Sequence, residues 1–444
     1  MNKQFYSYLT GTDRFQSYLY SYPHKTAYRP FKEPVDLKSL WEHEKKSALY
    51  LYTHIPFCRM KCAFCNLFTI SNPQEDLVSL YLNKLQLEAE VARETLGDCH
   101  FSGYAIGGGT PSHLEVGQLD QLFSIYTDTL QIDLQKTPGS FEISPDTITA
   151  DKLTFLSQRG VQRISIGIQS FIEAEARSVG RMQPAGMIEP LLEKIADCQF
   201  PVFNIDLIYG IAGQTPHSWL ASLAKAIQFQ PTEIFLYPLY VRPLTSLFKK
   251  KGSAQDTEDV RTTLYNIGRD FLQANGYVQD SMRLFRRPSV TAQTSTEYSC
   301  QEDGMLGLGT NARSYTKYLH YSTEYAVSKQ NVAAIIGDYV ASTRSSFTTA
   351  NYGIRLSDDD RKRRYLIKSL LKAQGIDRSQ YQCLFTTELY ADFPELPTLI
   401  EMHLATEEGA WLRLHGDGLG YSDLIGHWLI SDPVKKEMRE YIQK

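Results

Sequence analysis

The stretch LYLYTHIPFCRMKCAFCNLF, residues 49–68, contains the features from which both the fold and the chemistry are predicted. Its first seven residues are apolar, aromatic or β-branched and predict a buried strand, which Pro56 ends because proline lacks the N–H that a sheet requires. Cys58, Cys62 and Cys65 follow at once, so we expect them on a loop beyond the strand. The pattern therefore predicts a cysteine-lined site at the edge of a sheet.

Three cysteines at this spacing indicate an iron-sulfur site. Thiolates are the preferred ligands of such clusters, and three of them on a 4Fe-4S cube leave one iron without a protein ligand. The open iron can take the amino and carboxylate groups of S-adenosylmethionine (SAM), so that an electron from the reduced cluster releases a 5′-deoxyadenosyl radical. The alternative is a zinc site, but zinc sites usually pair two CxxC units or add histidines, and the sequence has no second unit. His54, beside the turn, is expected to be structural.

Outward from this stretch, short apolar runs alternate with longer amphipathic ones. Such alternation is typical of βα units around a parallel sheet, and six units favour a partial or complete α/β barrel over a doubly wound sheet. The predicted strands are residues 48–54, 104–108, 140–144, 163–169, 202–210 and 232–240. Predicted helices include residues 76–94, 116–130 and 216–229.

The remaining sequence predicts additions to this core. KKKGSAQDTED reads as a solvated loop, followed by a helix near 258–275 and a strand at 276–285. The last residues have helical periodicity with a short wing around WLRLHGDGLGYS. The predicted divisions are an N-terminal extension (1–46), a core (47–285), a connecting segment that completes the core (286–360) and a small helical C-terminal domain (361–444).

Composition restricts the kinds of partner. The chain has 444 residues, 42% of them hydrophobic, which suffices for one large core or two to three domains. Its 46 Lys and Arg against 50 Asp and Glu give a net charge of -4 with no long basic run, so nucleic acid is not expected as a partner. The polar, tyrosine-rich start and the lack of a long apolar run predict a soluble, cytoplasmic protein with no membrane segment.

Polar side chains fall at or just past the ends of several predicted strands, where α/β barrels carry their active sites. Glu142, Gln169 and Asp206 offer oxygens that accept hydrogen bonds from an ammonium or a hydroxyl. Arg181 can pair with a carboxylate through two parallel hydrogen bonds. Together these residues predict a ligand pocket beside the cysteines.

Seven collinear motifs resemble the oxygen-independent coproporphyrinogen III oxidase (HemN-like) branch of the radical SAM enzymes. They are HIPFCRMKCAFC (54–65), GGGTPS (107–112), FEISPD (141–146), RISIGIQSF (163–171), NIDLIYG (204–210), GMLGLG (304–309) and GYSDLIG (420–426). The resemblance implies a partial (β/α)6 TIM-type barrel, a 4Fe-4S cluster on the three cysteines, two SAM molecules and a reducing partner such as a flavodoxin or ferredoxin.

The resemblance also implies roles for individual residues. Residues that match contacts of the cluster-bound SAM are Tyr52, Phe64, Gly108 and Glu142. Residues that match contacts of the second SAM are Gly109, Thr110, Gln169, Arg181, Asp206 and, by spacing, Tyr240. Tyr52 and Glu142 are the candidate catalytic residues. Arg313 falls where a further contact would lie after GMLGLG, although the residue types around it depart from the family's.

Departures from the family pattern indicate the subfamily. The oxidases carry a further cysteine two positions after the third ligand, where this chain has Leu67, which disfavours decarboxylation of coproporphyrinogen. The heme chaperones carry a His-Asn-x-x-Tyr-Trp element, and alignment of its Tyr with Tyr298 leaves Thr294, Ser295 and Ser299 at the other positions.

With these two subfamilies disfavoured, the chain resembles the class C radical SAM methyltransferases. The resemblance lies in YPHKTAYRP (22–30), CNLFT (65–69) and LYPLYVRPLT (236–245). The resemblance implies transfer of a one-carbon unit, as methyl or cyclopropane methylene, from the second SAM to an sp2 carbon of a small molecule or peptide. A coproporphyrinogen oxidase-like enzyme and a non-catalytic heme chaperone stay as alternatives. Two features are open: segment 16–30 is a cover of the barrel mouth or a surface arm, and Cys300 is a hydrogen donor or an inert thiol.

Overall fold

Strands and helices alternate through the first half of the molecule, as the apolar periodicity predicts. The structure is a computed structural model that describes residues 3–19, 21–251, 259–288 and 302–442. Its strands are β1 (Arg29–Asp36), β2 (Leu49–Ile55), β3 (Phe57–Cys58), β4 (Ile70–Ser71), β5 (Phe101–Gly108), β6 (Gly139–Ile143), β7 (Arg163–Gln169), β8 (Val202–Tyr209), β9 (Glu233–Pro238), β10 (Val278–Gln279), β11 (Leu284–Arg286), β12 (Met305–Leu308), β13 (Ser314–Tyr315), β14 (Leu319–Tyr321), β15 (Thr349–Arg355), β16 (Ile376–Asp377), β17 (Ala405–Glu408) and β18 (Trp411–Leu414).

Seventeen α-helices accompany these strands in the described residues. They are α1 (Lys3–Gly11), α2 (Leu37–Glu42), α3 (Glu75–Leu96), α4 (Val116–Ser124), α5 (Ala150–Gln158), α6 (Glu173–Ser178), α7 (Ala185–Asp197), α8 (Pro216–Gln228), α9 (Ser246–Lys251), α10 (Arg261–Ala274), α11 (Lys329–Ala341), α12 (Asp358–Leu370), α13 (Arg378–Phe385), α14 (Leu389–Asp392), α15 (Pro397–Glu401), α16 (Ser422–Trp428) and α17 (Asp432–Glu440). None of these helices combines the length and the apolar composition that crossing a bilayer requires.

One sheet organises the core. Thirteen strands of the described residues pair in the order β1-β15-β14-β13-β12-β2-β5-β6-β7-β8-β9-β11-β10. The neighbours from β2 to β9 are parallel, and they are the six strands that the sequence predicts. The prediction of a partial α/β barrel with six βα units is confirmed. Because the strands are parallel, their carboxyl ends share one edge, and loops after these ends form a common site.

Local sequence explains where individual elements begin and end. Helix α8 begins with a reciprocal cap, since Thr215 Oγ1 accepts the N–H of Ser218 at 3.1 Å and Ser218 Oγ accepts the N–H of Thr215 at 2.9 Å. Trp219 and Leu223 on its inner face are fully buried. The helix predicted at 116–130 is α4 followed by a π-helical turn over Ile125–Thr129.

The prediction of a single strand over residues 276–285 is wrong. The segment forms two short antiparallel strands, β10 and β11, joined by a tight turn. Ser281 Oγ accepts the N–H groups of Arg283 at 3.3 Å and Leu284 at 3.1 Å, and these side-chain bonds replace the ladder that a continuous strand would need.

The N-terminal residues divide between two hydrophobic cores. Strand β1 pairs with β15 at the edge of the main sheet, which places residues from both ends of the chain side by side. Phe5 and Leu9 of α1 pack instead into a second core, built from α12 to α17 and the small sheet β16-β18-β17. The hairpin β17–β18 lies where the sequence predicts a short wing.

Candidate functional site

The cysteine loop follows β2 and Pro56, and its last residues, in β4, lie beside its first residues, in β3. Strands β3 and β4 pair in parallel, and the N–H of Asn72 donates to Cys58 O at 2.9 Å, so a short ladder closes residues 58–71 into one loop. Cys58 is buried, whereas Cys62 and Cys65 are half-buried. The hydroxyl of Thr110 donates to Cys58 Sγ at 3.3 Å, and Thr69 Oγ1 lies 3.0 Å from the same sulfur.

A cavity of about 740 Å³ lies over the carboxyl ends of the strands and brings most of the predicted site residues together. Its predicted lining residues are Cys58, Cys62, Phe64, Cys65, Gly109, Thr110, Glu142, Gln169, Arg181, Asp206 and Tyr240. Residues from six different strand ends therefore face one space. This arrangement is what the barrel predicts for a ligand site.

Two carboxyl groups, Glu142 and Asp206, form what we call the acidic floor of the cavity. Glu142 Oε2 accepts the N–H of Gly108 at 3.1 Å, and its exposed surface opens onto the cavity. Enclosure by the surrounding protein raises the pKa of Glu142 to about 7, and the nearby Asp206 adds to the rise. Burial likewise raises the pKa of Asp206 to about 6, although Asn204 Nδ2 donates to it at 2.7 Å. A cation bound here would favour both ionised forms.

Gln169 and Arg181 cross over a glycine beside the acidic floor. Gln169 has a φ of +70° at a register shift between β7 and β8, a conformation that only surrounding contacts can maintain. Gln183 Nε2 supplies such contacts, because it donates to Ile168 O at 2.6 Å and to Ser170 O at 3.0 Å, the carbonyls on either side.

Gly167 makes room for this crossing. A Cβ at Gly167 would lie 2.6 Å from Gln169 Nε2 and 3.2 Å from Arg181 Nη2. Arg181 also donates from Nη1 to Ser144 Oγ at 2.7 Å, and its Nε is buried without a partner among the described residues. Arg181 itself lines the cavity, so its guanidinium is within reach of an anionic group bound there.

Tyr240 is fixed by residues from outside the barrel. Its hydroxyl contacts Asp423 in α16 and Arg283 in the β10–β11 turn. Arg283 and Asp423 are themselves a buried ion pair with a nitrogen to oxygen distance of 2.6 Å. The pair therefore joins the GYSDLIG motif of the C-terminal part to the cavity wall.

Comparison with known proteins agrees with this geometry. Residues 52–226 match the model of the Radical SAM superfamily. The heme chaperone HemW of Escherichia coli is 30% identical over 274 residues, which span 60% of this chain and 70% of that protein. The chain is a HemN-like member of the radical SAM superfamily. The oxygen-independent coproporphyrinogen III oxidase of Synechocystis sp. is 28% identical over 427 residues, 90% of this chain and 87% of that protein.

A solved structure shows the same arrangement over nearly the whole chain. The coproporphyrinogen III oxidase HemN from Escherichia coli, described as a radical SAM enzyme, aligns with a TM-score of 0.78 and 25% identity. The alignment covers 93% of this chain and 96% of that one. The predicted fold class and family are confirmed. As a radical SAM enzyme, the protein uses a 4Fe-4S cluster and SAM, and it needs a reductant and a small-molecule substrate.

The cysteine loop fits such a cluster. Burial raises the pKa of Cys65 to about 12 and raises that of Cys58, so these thiols keep their protons until a cationic group binds them. No three His, Cys, Asp or Glu side chains of the described ranges converge on a single-ion site. A cluster is larger than an ion, so three thiols spread along one loop at a cavity wall suit it. Cys58, Cys62 and Cys65 would hold it, next to the acidic floor.

His54 links the strand end to the cysteine loop. Its Nε2 donates to Phe68 O at 2.9 Å, and its Nδ1 accepts the hydroxyl of Tyr52 at 3.1 Å. Burial lowers the pKa of His54 to about 4, so the ring is neutral at physiological pH. These contacts agree with the structural role that the sequence predicts.

Three predicted site residues lie behind the cavity wall rather than on it. Tyr52 bonds to His54, and Gly108 presents its N–H to Glu142, so both contact residues of the site. Arg313 Nη1 donates to Ser21 Oγ at 3.0 Å. The element at Thr294, Ser295, Tyr298 and Ser299, together with Cys300, lies outside the described residues.

The sequence left open whether segment 16–30 covers the mouth of the barrel, and it did not predict the rest of the outer wall of the cavity. Segment 16–30 contributes Gln16, Ser17, Tyr18, His24, Lys25 and Thr26 to the lining, so this tyrosine-rich segment lies at the mouth. The C-terminal part adds His427, Met438 and Tyr441, and the core adds Tyr325 and Arg242. Two features of the sequence could have indicated this wall. They are the high tyrosine content of segment 16–30 and the position of His427 next to GYSDLIG.

The crossing of Gln169 and Arg181 over Gly167 gives a prediction. We expect Gly167→Ala to fold with a free energy of unfolding within about 1 kcal/mol of the native protein, because the new methyl meets only the ends of two flexible side chains. The same methyl displaces both ends, so binding of S-adenosylhomocysteine should weaken by roughly tenfold or more. Calorimetric titration measures the affinity. Gly337→Ala, whose added Cβ meets nothing within 4 Å, is the control. Unchanged affinity in Gly167→Ala would show that the crossing does not form a SAM subsite.

Proposed function

We propose that this radical SAM enzyme transfers a one-carbon unit, as methyl or cyclopropane methylene, from a second SAM molecule to an sp2 carbon of a small molecule or peptide. The observation that supports it is the placement of Gln169, Arg181 and Asp206 on the same cavity as the cysteine loop. These residues lie at or after the ends of β7 and β8, farther along the sheet than the strand ends nearest to the cysteine loop. Their position supports a second subsite next to the first.

The proposal assigns roles within the cavity. Cys58, Cys62 and Cys65 hold the cluster, and Phe64, Gly108, Glu142 and Tyr52 serve the SAM bound to it. The bound cluster supplies the electron that cleaves SAM to methionine and a 5′-deoxyadenosyl radical. Glu142 accepts hydrogen bonds from the amino group or ribose hydroxyls of that SAM, and Tyr52 acts through His54, which its hydroxyl contacts at 3.1 Å.

The second SAM is assigned to the other end of the acidic floor. Arg181 pairs with its carboxylate, and Asp206 and Gln169 accept from its ammonium or hydroxyls. Gly109 and Thr110 are assigned to it by the resemblance alone, since Thr110 donates to Cys58 Sγ at 3.3 Å and a Cβ at Gly109 would meet Thr69 and Phe57. Tyr240 closes the subsite, held by Asp423 and Arg283. Arg313 is assigned an indirect role, since it contacts segment 16–30 through Ser21 at 3.0 Å.

A second candidate is a coproporphyrinogen III oxidase-type reaction. Similarity to such oxidases over 90% of this chain and a TM-score of 0.78 to HemN favour it. Leu67, two positions after the third cysteine, is 45% exposed and lines the cavity at the place where those oxidases carry a further cysteine. An alkyl side chain cannot donate a proton or a hydrogen atom as a thiol can, so we rank decarboxylation second. A non-catalytic heme carrier is the third, through the similarity to HemW.

One experiment separates the three candidates. The reconstituted, reduced protein is incubated with SAM alone, with SAM and coproporphyrinogen III, and with heme. We expect 5′-deoxyadenosine to form from SAM alone, and S-adenosylhomocysteine to form with it once an unsaturated acceptor is added to receive the one-carbon unit. Release of CO2 from coproporphyrinogen III with no S-adenosylhomocysteine would instead support the oxidase. Tight binding of heme with no cleavage of SAM would support the carrier.

The raised pKa of Glu142 predicts how SAM binding depends on pH. At pH 6.5 this carboxyl, with a pKa of about 7, is mostly protonated in the free protein. The sulfonium and ammonium of SAM favour the carboxylate, so binding should release a proton and affinity should rise from pH 6 to pH 8. Titration calorimetry in two buffers of different ionisation enthalpy measures the release at each pH.

Glu142→Gln is the matched variant for this prediction. The amide keeps the size of the side chain but carries no titrating proton, so the part of the pH dependence centred near pH 7 should disappear. The smaller contribution of Asp206 near pH 6 remains, as does that of the SAM amino group, which loses its proton when it binds the iron. SAM binding by the native protein that neither releases protons nor varies with pH would contradict the placement of a SAM cation at Glu142.

A further inference from the structure

The outer part of the cavity has a wall whose charge is opposite to that of the floor. We call it the basic wall and define it by His24, Lys25, Arg242 and His427, all of which line the cavity. Its pieces come from segment 16–30, the loop after β9 and α16. Contacts hold them together, since His427 Nε2 lies 2.9 Å from Ser17 Oγ and Arg242 donates to Gln16 O.

The carboxylates of the cavity lining belong to the core. Glu142, Asp146 and Asp206 follow the barrel strands, and the wall segments of the described chain add no acidic residue to the lining. The acids nearest to Arg242 are committed elsewhere, because Asp423 pairs with Arg283 at 2.6 Å and Asp13 pairs with Arg261 at 3.0 Å. The cavity is therefore acidic at its floor and basic at its wall.

The two histidines of the basic wall are neutral, so its positive charge is that of Lys25 and Arg242. Burial lowers the pKa of His427, and burial together with the charges of Lys25, Arg313, His427 and Arg242 holds the pKa of His24 well below the ordinary value. Nδ1 of His24 lies 3.4 Å from the backbone nitrogen and 2.8 Å from the hydroxyl oxygen of Thr26. Burial also lowers the pKa of Arg242, despite the nearby acids.

Aromatic surface accompanies these charges. The ammonium of Lys25 lies 3.7 Å from the ring centroid of Tyr325, and the guanidinium of Arg242 lies 4.8 Å from that of Tyr240. Tyr18 and Tyr441 also line this part of the cavity. Tyrosine faces next to cations suit a flat apolar molecule that ends in an anionic group.

We infer that the acceptor is an aromatic or otherwise unsaturated organic acid, whose anionic group binds the basic wall through Lys25 and Arg242 while its carbon skeleton lies against the tyrosines. The inference rests on the proposed function, in which the SAM cations occupy the acidic floor. A cation bound at the floor and an anion bound at the wall attract each other across the cavity, which orders the acceptor relative to the methyl donor.

A pair of fluorescent probes tests this inference without SAM turnover. 8-Anilinonaphthalene-1-sulfonate is an aromatic anion, and N-phenyl-1-naphthylamine is the same skeleton without the sulfonate. We expect one anion to bind per chain, about tenfold more tightly than the neutral probe. Arg242→Gln and Lys25→Gln should each remove most of that preference while affinity for the neutral probe stays within about twofold. Arg242→Lys, which keeps the charge, should retain part of it.

Lys136→Gln is the control substitution. It removes a surface cation with an 85% exposed side chain and should leave both affinities unchanged. Thermal unfolding of each variant identifies any that does not fold, and either Arg242→Gln or Lys25→Gln alone suffices. Equal affinity of the native protein for the two probes, or a preference that survives both substitutions, overturns the inference. Because no SAM is consumed, failure of one-carbon transfer would be seen separately, in the product analysis.

Discussion

Replacing Cys62 with alanine is expected to abolish the cluster absorbance and all cleavage of SAM. We propose the three thiols on the loop of residues 58–71 as the complete protein ligand set, so removal of one leaves two, which do not hold a cluster that also binds SAM. Anaerobic reconstitution followed by absorption spectroscopy and chromatography of 5′-deoxyadenosine measures both losses. The same result is expected for Cys58→Ala and Cys65→Ala.

The matched control is Cys383→Ala, which removes an exposed free cysteine of the C-terminal part. It should reconstitute like the native protein, with the same iron content and the same rate of SAM cleavage. A Cys62→Ala protein that keeps its cluster absorbance and still forms 5′-deoxyadenosine would contradict the assignment of the cluster to this loop.

Arg181→Ala is expected to separate cleavage of SAM from transfer of the one-carbon unit. Arg181 lies beside Gln169 over Gly167 and donates to Ser144 Oγ at 2.7 Å, close enough to Cys58 for its charge to act on that thiol. Loss of the guanidinium should lower formation of S-adenosylhomocysteine by about 100-fold or more, while formation of 5′-deoxyadenosine stays within severalfold of native. Both products are quantified from one reaction.

Arg177→Ala is the control for this prediction. Arg177 is an arginine four positions earlier, with a side chain that is 62% exposed and pairs with Glu173. Its substitution should leave both products unchanged. If Arg181→Ala lowers both products equally, Arg181 serves the SAM bound to the cluster, and if it lowers neither, the second subsite is not where we place it.

The barrel and the cysteine loop could be predicted because their signals are local. Each core strand is an apolar run that ends at a proline, a glycine or a polar residue, and the three cysteines lie within eight residues of one another. The parallel order of the strands then brings Glu142, Gln169 and Asp206 to one edge without any further information.

The outer wall could not be predicted because its contacts join distant parts of the chain. Ser17 meets His427, and β1 pairs with β15, across more than 300 residues in each case. Nothing in the local pattern around His24 or Lys25 distinguishes a cavity wall from a surface arm. The split of 276–285 into β10 and β11 was missed for a different reason, since side-chain bonds of Ser281 compete with strand continuity.

The most direct test of the account follows deuterium from SAM labelled in its methyl group. The reconstituted and reduced protein is supplied with this SAM and with an unsaturated organic acid that the basic wall binds, and the products are examined by mass spectrometry. One-carbon transfer from a second SAM predicts S-adenosylhomocysteine together with 5′-deoxyadenosine that contains deuterium, because the radical takes its hydrogen from the labelled methyl group. Unlabelled 5′-deoxyadenosine with no S-adenosylhomocysteine, in the presence of an organic acid that the basic wall binds, would contradict it.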